Sequence, residues 1–142
     1  MKRLRTFFFL SLMNLPMNGW RRAVFARLAG VDVSGKGQYI GRNVCFDSIA
    51  PERIHIGDNV HITAGTTFLT HYHDTASSGV SWKYGDIHVG DGVFIGMNTI
   101  VTKPCTIGKD AIIGAGSVVT KDIPSGEIWG GNPAKFIKKR VG

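Results

Sequence analysis

Cysteine is nearly missing from this sequence: its 142 residues hold two, Cys45 and Cys105. They sit in no metal-type or redox-type spacing, so they read as small buried or half-buried thiols and require no oxidising compartment. Acidic side chains are scarce as well, ten Asp and Glu against seventeen Lys and Arg, leaving a formal charge of +7. That balance favours an anionic partner such as nucleic acid, a membrane surface or a phosphorylated cofactor. No basic stripe interleaved with aromatic residues is present, which argues against nucleic acid. Long apolar runs are lacking too, and the stretch from Phe7 to Met13 is too short to span a bilayer. Neither of the usual periods is found, since apolar residues recur neither at three and four nor in long strict alternation. A single domain fits this length.

Glycine, by contrast, is in excess at nineteen residues, each a place where the backbone can turn tightly or take positive φ. The glycines follow a pattern. Val89, Ile95, Val101, Ile107, Ile113 and Val119 recur every sixth position, four of them followed by Gly90, Gly96, Gly108 and Gly114. The register returns upstream at Ile56, Ile62 and Phe68, and at Ile40 and Phe46. An aliphatic residue every sixth position describes a short strand and a turn, repeated as a parallel β-helix. Three such sides close one coil of about eighteen residues, and the aliphatic side chains stack inward about 4.8 Å apart. Ala64 with Gly65, and Ala115 with Gly116, suit the tight corners. Two breaks in register mark inserted loops, around residues 48–53 and around residues 72–87. Loops carried by a rigid scaffold are where function tends to sit.

The first thirty residues read as two short amphipathic helical segments, broken near Pro16, that cap the open first coil; residues 31–142 form the β-helix and a basic C-terminal tail. A cleaved signal is disfavoured by the short apolar run, the lack of a small-residue cleavage site, and Arg21, Arg22 and Arg27 soon after. The basic-apolar face of this segment also suits a peripheral membrane contact from the cytoplasmic side. After Pro124 the hexads stop and the chain finishes basic, with a solvated tail as one of the readings of the closing run.

The hexads, the loop FLTHYHDT and the run IGAGSVVTKDIPSGEIWGGNPAKFIKK resemble the left-handed β-helix acyltransferases, in particular the sugar and polysaccharide O-acetyltransferases similar to galactoside and maltose acetyltransferase. The resemblance spans about residues 31–139. It implies an all-β, left-handed parallel β-helix, a homotrimer with sites between neighbouring subunits, acetyl-coenzyme A as cosubstrate and a sugar or polysaccharide precursor as acceptor. In that family the general base lies seventeen positions after the isoleucine of an IGDN hexad, here Ile56, which implies His73, with His71 a neighbour on the substrate side. It places Asn43 on the acceptor side, with Asp47 added by its nearness in the chain, and puts Phe94 in a wall where many relatives carry tryptophan. Met97, Ala115, Thr120 and Lys121 match the coenzyme channel, and Lys135 and Lys138 match basic residues that meet its phosphates.

Eighteen positions before His73 lies His55, one full coil away if nothing intervenes, so the two rings are expected side by side. His61 and His88 each precede an inward aliphatic residue and are expected on the surface. The acceptor, the acyl chain and the choice between O- and N-acetylation stay open at this level. A γ-type carbonic anhydrase is the enzymatic rival, but its pair of histidines five apart is missing, and no metal is expected. A non-catalytic β-helix that serves as a scaffold is the other rival.

Overall fold

A computed structural model describes residues 1–76 and 78–142. Three ladders of parallel strands form the walls of a coil. One wall stacks β1 (Tyr39–Ile40), β4 (His61–Ile62), β9 (Phe94–Ile95), β12 (Ile112–Ile113) and β14 (Glu127–Gly130). The second stacks β2 (Cys45–Phe46), β5 (Thr67–Phe68), β10 (Ile100–Val101) and β13 (Val118–Val119). The third stacks β3 (Ile54–Ile56), β8 (Ile87–Val89) and β11 (Cys105–Ile107). Consecutive strands visit different walls, so every neighbour in a ladder comes from the next coil. This is a left-handed parallel β-helix, as the hexads predict.

All eleven aliphatic and aromatic hexad positions are buried, from Ile40 at 0% exposed to Val89 at 3%. Each stacks on its counterpart: Ile62 on Ile95 on Ile113, and Phe46 on Phe68 with rings 5.4 Å apart and nearly parallel. A second inward row at one corner is polar. Thr66, Thr99 and Ser117 are fully buried and donate their hydroxyls to Thr63, Gly96 and Gly114 carbonyls of their own turns. Turn carbonyls that the ladders leave over are thereby paired, which a buried turn requires. The corners carry left-handed residues, among them Asn43, Asn59, Asn98 and Asp110, the non-glycine residues that tolerate this conformation best.

The N-terminus forms α1 (Lys2–Leu12) and α2 (Gly19–Ala29). Asn18 caps α2 by accepting from the Arg21 N–H, and Gly30, at φ 112°, ends it. Ala23, Ala26 and Ala29 bury one stripe of α2, which lies against β1. The turn at Pro16 is held by buried Arg22, which donates to the Met13 and Leu15 carbonyls, and Thr6 ties α1 to the end of α2 through the Ala29 carbonyl.

Two features differ from the sequence reading. The closing run is no solvated tail: β14 continues the first wall and β15 (Lys135–Lys139) pairs with it antiparallel, so the last coil is covered by a strand rather than left open. At the insertion around 72–87, strands β6 (His71–His73) and β7 (Trp82–Tyr84) pair antiparallel outside the coil. That excursion shifts the register, so His55 lies opposite His88 and not beside His73.

Candidate functional site

The 68–75 stretch departs from the coil at Thr70, and the departure is fixed by a carboxylate one coil earlier. Asp47 is buried at 5% exposed. Its Oδ2 accepts from the Thr70 N–H at 3.0 Å, the Thr70 hydroxyl at 2.7 Å and His71 Nδ1 at 2.6 Å, while Oδ1 accepts from the Ile49 N–H at 2.9 Å. Burial alone would raise the Asp47 pKa, but these donors outweigh it and hold the carboxyl below its usual range. Asp47 is therefore an anion that can only accept, and the proton shared with His71 belongs on Nδ1. In the neutral imidazole this tautomer leaves Nε2 with the lone pair. A carboxylate-oriented imidazole with a free Nε2 is the arrangement that lets histidine act as a general base.

The hairpin supplies the surroundings. His71 pairs in register with Tyr84, and His73 with Trp82, so all four side chains share one face of the ribbon. The His71 ring, 21% exposed, meets Trp82 at 5.3 Å and Tyr84 at 5.9 Å. His73 is exposed and meets only the Trp82 ring, at 5.9 Å, among the described aromatic contacts. Lys83, on the opposite face, bridges to Asp74 at 3.0 Å and closes the ribbon near its tip.

Asn43 stands four positions before Asp47 at a left-handed corner, φ 55°. It lines an open cleft of about 370 Å³ between α1 and β2, together with Asn14, Ser11, Ser48 and Phe7. The structure thus brings Asp47 and His71 together after β2 and β5, while Asn43 lies before β2 in a cleft that neither of them lines. The remaining site residues lie elsewhere on the chain. Phe94 is on the first wall, 42% exposed, between His61 and Ile112. Met97 and Ala115 occupy the same corner in consecutive coils, where the Gly116 N–H donates to the Met97 carbonyl at 2.7 Å. Thr120 and Lys121 follow β13, with Lys121 Nζ 5.3 Å from the Trp129 ring centroid. Lys135 and Lys138 project from β15, both exposed.

Sequence reasoning placed Asp47 by nearness alone and left the role of His71 open. The missing signal is a contact over twenty-four positions, set by one coil plus the insertion at 48–53.

The family model of the bacterial transferase hexapeptide, six repeats, matches residues 86–121. A Bacillus subtilis protein whose name assigns it provisionally to the acetyltransferases, YvoF, is 34% identical over 123 residues, covering 87% of this chain and 67% of its own. Galactoside O-acetyltransferase of Escherichia coli is 32% identical over 113 residues, but the chain spans only 55% of that enzyme's length. A Staphylococcus aureus tetrahydropyridine dicarboxylate N-acetyltransferase is 36% identical over 83 residues, 32% of its length. Among solved structures, a maltose O-acetyltransferase from Clostridium difficile aligns with 99% of this chain and 87% of its own, at TM-score 0.73 and 28% identity. The hexapeptide-repeat acetyltransferase VCA0836 of Vibrio cholerae, solved with acetyl-coenzyme A, shares the fold at TM-score 0.75 and 24% identity. This chain belongs to the hexapeptide-repeat acetyltransferases.

Proposed function

We propose that the chain transfers an acetyl group from acetyl-coenzyme A to a hydroxyl of a sugar or polysaccharide precursor, with His71 as general base and Asp47 as the group that orients it. The observation that carries this reading is the 2.6 Å contact between Asp47 Oδ2 and His71 Nδ1, inside a face of aromatic rings. This replaces the assignment of the base to His73. Position 73 lies further out on the ribbon, exposed, whereas position 71 sits next to the buried carboxylate.

The steps follow from the free Nε2. As the acceptor oxygen attacks the thioester carbonyl, Nε2 takes its proton, and the imidazolium is stabilised by the Asp47 charge. The tetrahedral intermediate collapses, the C–S bond breaks, and Nε2 returns the proton to the leaving sulfur. The products are an acetyl ester and the free thiol of coenzyme A.

Trp82 and Tyr84 offer apolar ring faces for an acceptor to lie against, and Asn43 and Asn14 supply amide groups within the adjoining cleft. We assign the coenzyme to the exposed row of Met97 and Ala115, continuing past Thr120 and Lys121 toward Lys135 and Lys138, whose charges match its phosphates. This row and Asn43, Asp47, His71 and Phe94 are spread over different walls of one chain, which favours a homotrimer with the site completed between neighbours. A hydroxyl acceptor is preferred to an amine because the O-acetyltransferase relatives align over more of the chain.

The N-terminus bears on where the acceptor is met. Met1, Leu4, Phe7 and Phe8 are exposed on α1 beside Lys2, Arg3 and Arg5. Among the described residues no helix is long and apolar enough to cross a membrane. An apolar face edged with basic residues suits a peripheral contact with an anionic lipid surface, on the cytoplasmic side, close to the Asn43 cleft. Thiol release from acetyl-coenzyme A, measured across a panel of sugars and nucleotide sugars, tests the reading: one acceptor class should stimulate release, and the stimulation should disappear in His71→Ala. A chain that releases thiol only with amine acceptors would refute hydroxyl transfer.

A further inference from the structure

Charge is distributed unevenly along the chain. Residues 1–30 contain six Lys and Arg and no Asp or Glu, so the helical cap carries +6 of the formal +7. Lys2 is engaged by Glu52 at 2.9 Å, whereas Arg3 and Arg5 have no ion pair among the described residues. Met1, Leu4, Phe7 and Phe8 are exposed among these charges. A surface both basic and apolar fits the boundary of an anionic bilayer, where acyl chains and phosphates are met together. A second copy docked cap to cap would set six positive charges against six, which like-charge repulsion disfavours.

The cleft of about 370 Å³ between α1 and β2 opens along the same helix, and its size lies at the lower end of small-ligand sites, about 300–1,000 Å³. Its helical bank is Phe7, Leu10, Ser11 and Asn14, a spacing of three and four that puts them on one face. Arg3, four positions before Phe7, extends that face toward the N-terminus. The bank therefore passes from a cation through apolar Phe7 and Leu10 to polar Ser11 and Asn14. The facing bank is apolar at Val44 and Cys45 and polar at Asn43 and Ser48. The side chains of Asn14, Asn43 and Ser48 have no hydrogen-bond partner among the described residues, so their amides and hydroxyl are open to a ligand. A bare sugar would engage these groups and leave Phe7 and Leu10 against water, and a plain hydrocarbon would do the reverse. Ser48 directly follows Asp47, and the Ile49 N–H donates to that carboxylate, so one bank of the cleft runs into the turn that orients His71.

We propose that the acceptor is an amphiphile, a saccharide carrying an apolar chain, whose chain lies along Phe7, Leu10 and Val44 while its polar head meets Asn14, Asn43 and Ser48. This rests on the acetyl-transfer reading above and narrows its acceptor from sugars in general to lipid-linked ones, which reside at the anionic surface that the cap fits. The chain contributes binding that the ground state and the transition state share, so it lowers KM and leaves kcat unchanged.

The test measures thiol release from acetyl-coenzyme A with methyl, hexyl and octyl β-glucosides and β-galactosides below their critical micelle concentrations. In parallel, amide NMR shifts of the full chain are recorded with octyl β-glucoside and no coenzyme. The ratio kcat/KM should rise about two- to fourfold for each added methylene until the cleft is filled, through KM alone. Shifts should gather at Phe7, Leu10, Asn14, Asn43 and Ser48. Phe7 is 69% exposed, so Phe7→Ser should keep the fold, and it should flatten the dependence on chain length. Val24→Ser, on an exposed apolar part of α2 outside the cleft, should keep that dependence. Equal kcat/KM for methyl and octyl glycosides, a chain preference that survives Phe7→Ser, or shifts spread equally over Trp20, Val24 and Leu28 would overturn the proposal and leave acetyl transfer to sugars standing. Absence of thiol release with every acceptor would instead refute the transfer reading, and absent shifts at the cleft would overturn the amphiphile proposal independently.

Discussion

Asp47 accepts four hydrogen bonds while buried, and each donor loses its partner if the carboxylate goes. Asp47→Ala should cost about 1–3 kcal/mol of stability, since buried donors are left unpaired, and it should free the Thr70 turn. Asp47→Asn keeps the shape but offers His71 Nδ1 an amide in place of an anion. Its turnover should fall by about 10²–10⁴ with a smaller change in melting temperature, because the imidazole loses its fixed tautomer and its counter-charge. The pH dependence has a definite sign. The Asp47 carboxyl is depressed in the folded chain, so its contribution to stability is complete above the ordinary carboxylate value of about 3.9 and is lost as pH falls through the folded value. Acid unfolding of the wild-type chain should therefore be steeper than that of Asp47→Asn, as followed by circular dichroism. FLTHYHDT alone could not rank the two histidines: their difference lies in a buried oxygen twenty-four positions upstream of His71, which no local pattern reports.

The hexads specify the elements almost completely, because one inward aliphatic residue in six leaves a coil as the way to bury them all. Ile95 is fully buried in the middle of its column, and Ile95→Ala should cost about 2–5 kcal/mol. Gly96 sets the spacing between coils at a corner. A Cβ there would stand 2.8 Å from Ala115 Cα, a backbone contact that cannot swing aside. Gly96→Val should destabilise by about 2–3 kcal/mol in chemical denaturation through overpacking. Two elements were not legible in advance. The ribbon of β6 and β7 is held by cross-strand pairs that do not follow the hexad period, His71 with Tyr84 and His73 with Trp82. Strand β15 reads as a charged tail because three of its five residues are Lys and Arg140 follows; it is a strand because β14 presents an unpaired edge for it to pair with.

At the scale of the whole molecule, the positive charge and the scatter of site residues over several walls belong together. Lys121, Lys135 and Lys138 are exposed point charges without the forked geometry of arginine, so their attraction for phosphates should be readily screened. Raising ionic strength should raise the KM for acetyl-coenzyme A and leave kcat nearly unchanged. Light scattering on the purified chain should give a trimer, and a monomer of full activity would remove the shared site. Such an assembly could not be read from one chain's hexads, because the period fixes what faces inward and says nothing of which outer face meets a neighbour. The most direct measurement of the central claim compares thiol release by His71→Ala and His73→Ala, both shown by circular dichroism to fold, at saturating acetyl-coenzyme A and acceptor. The Asp47–His71 account predicts a loss of about 10²–10⁴ for His71→Ala and less than tenfold for His73→Ala; the reverse order would contradict it.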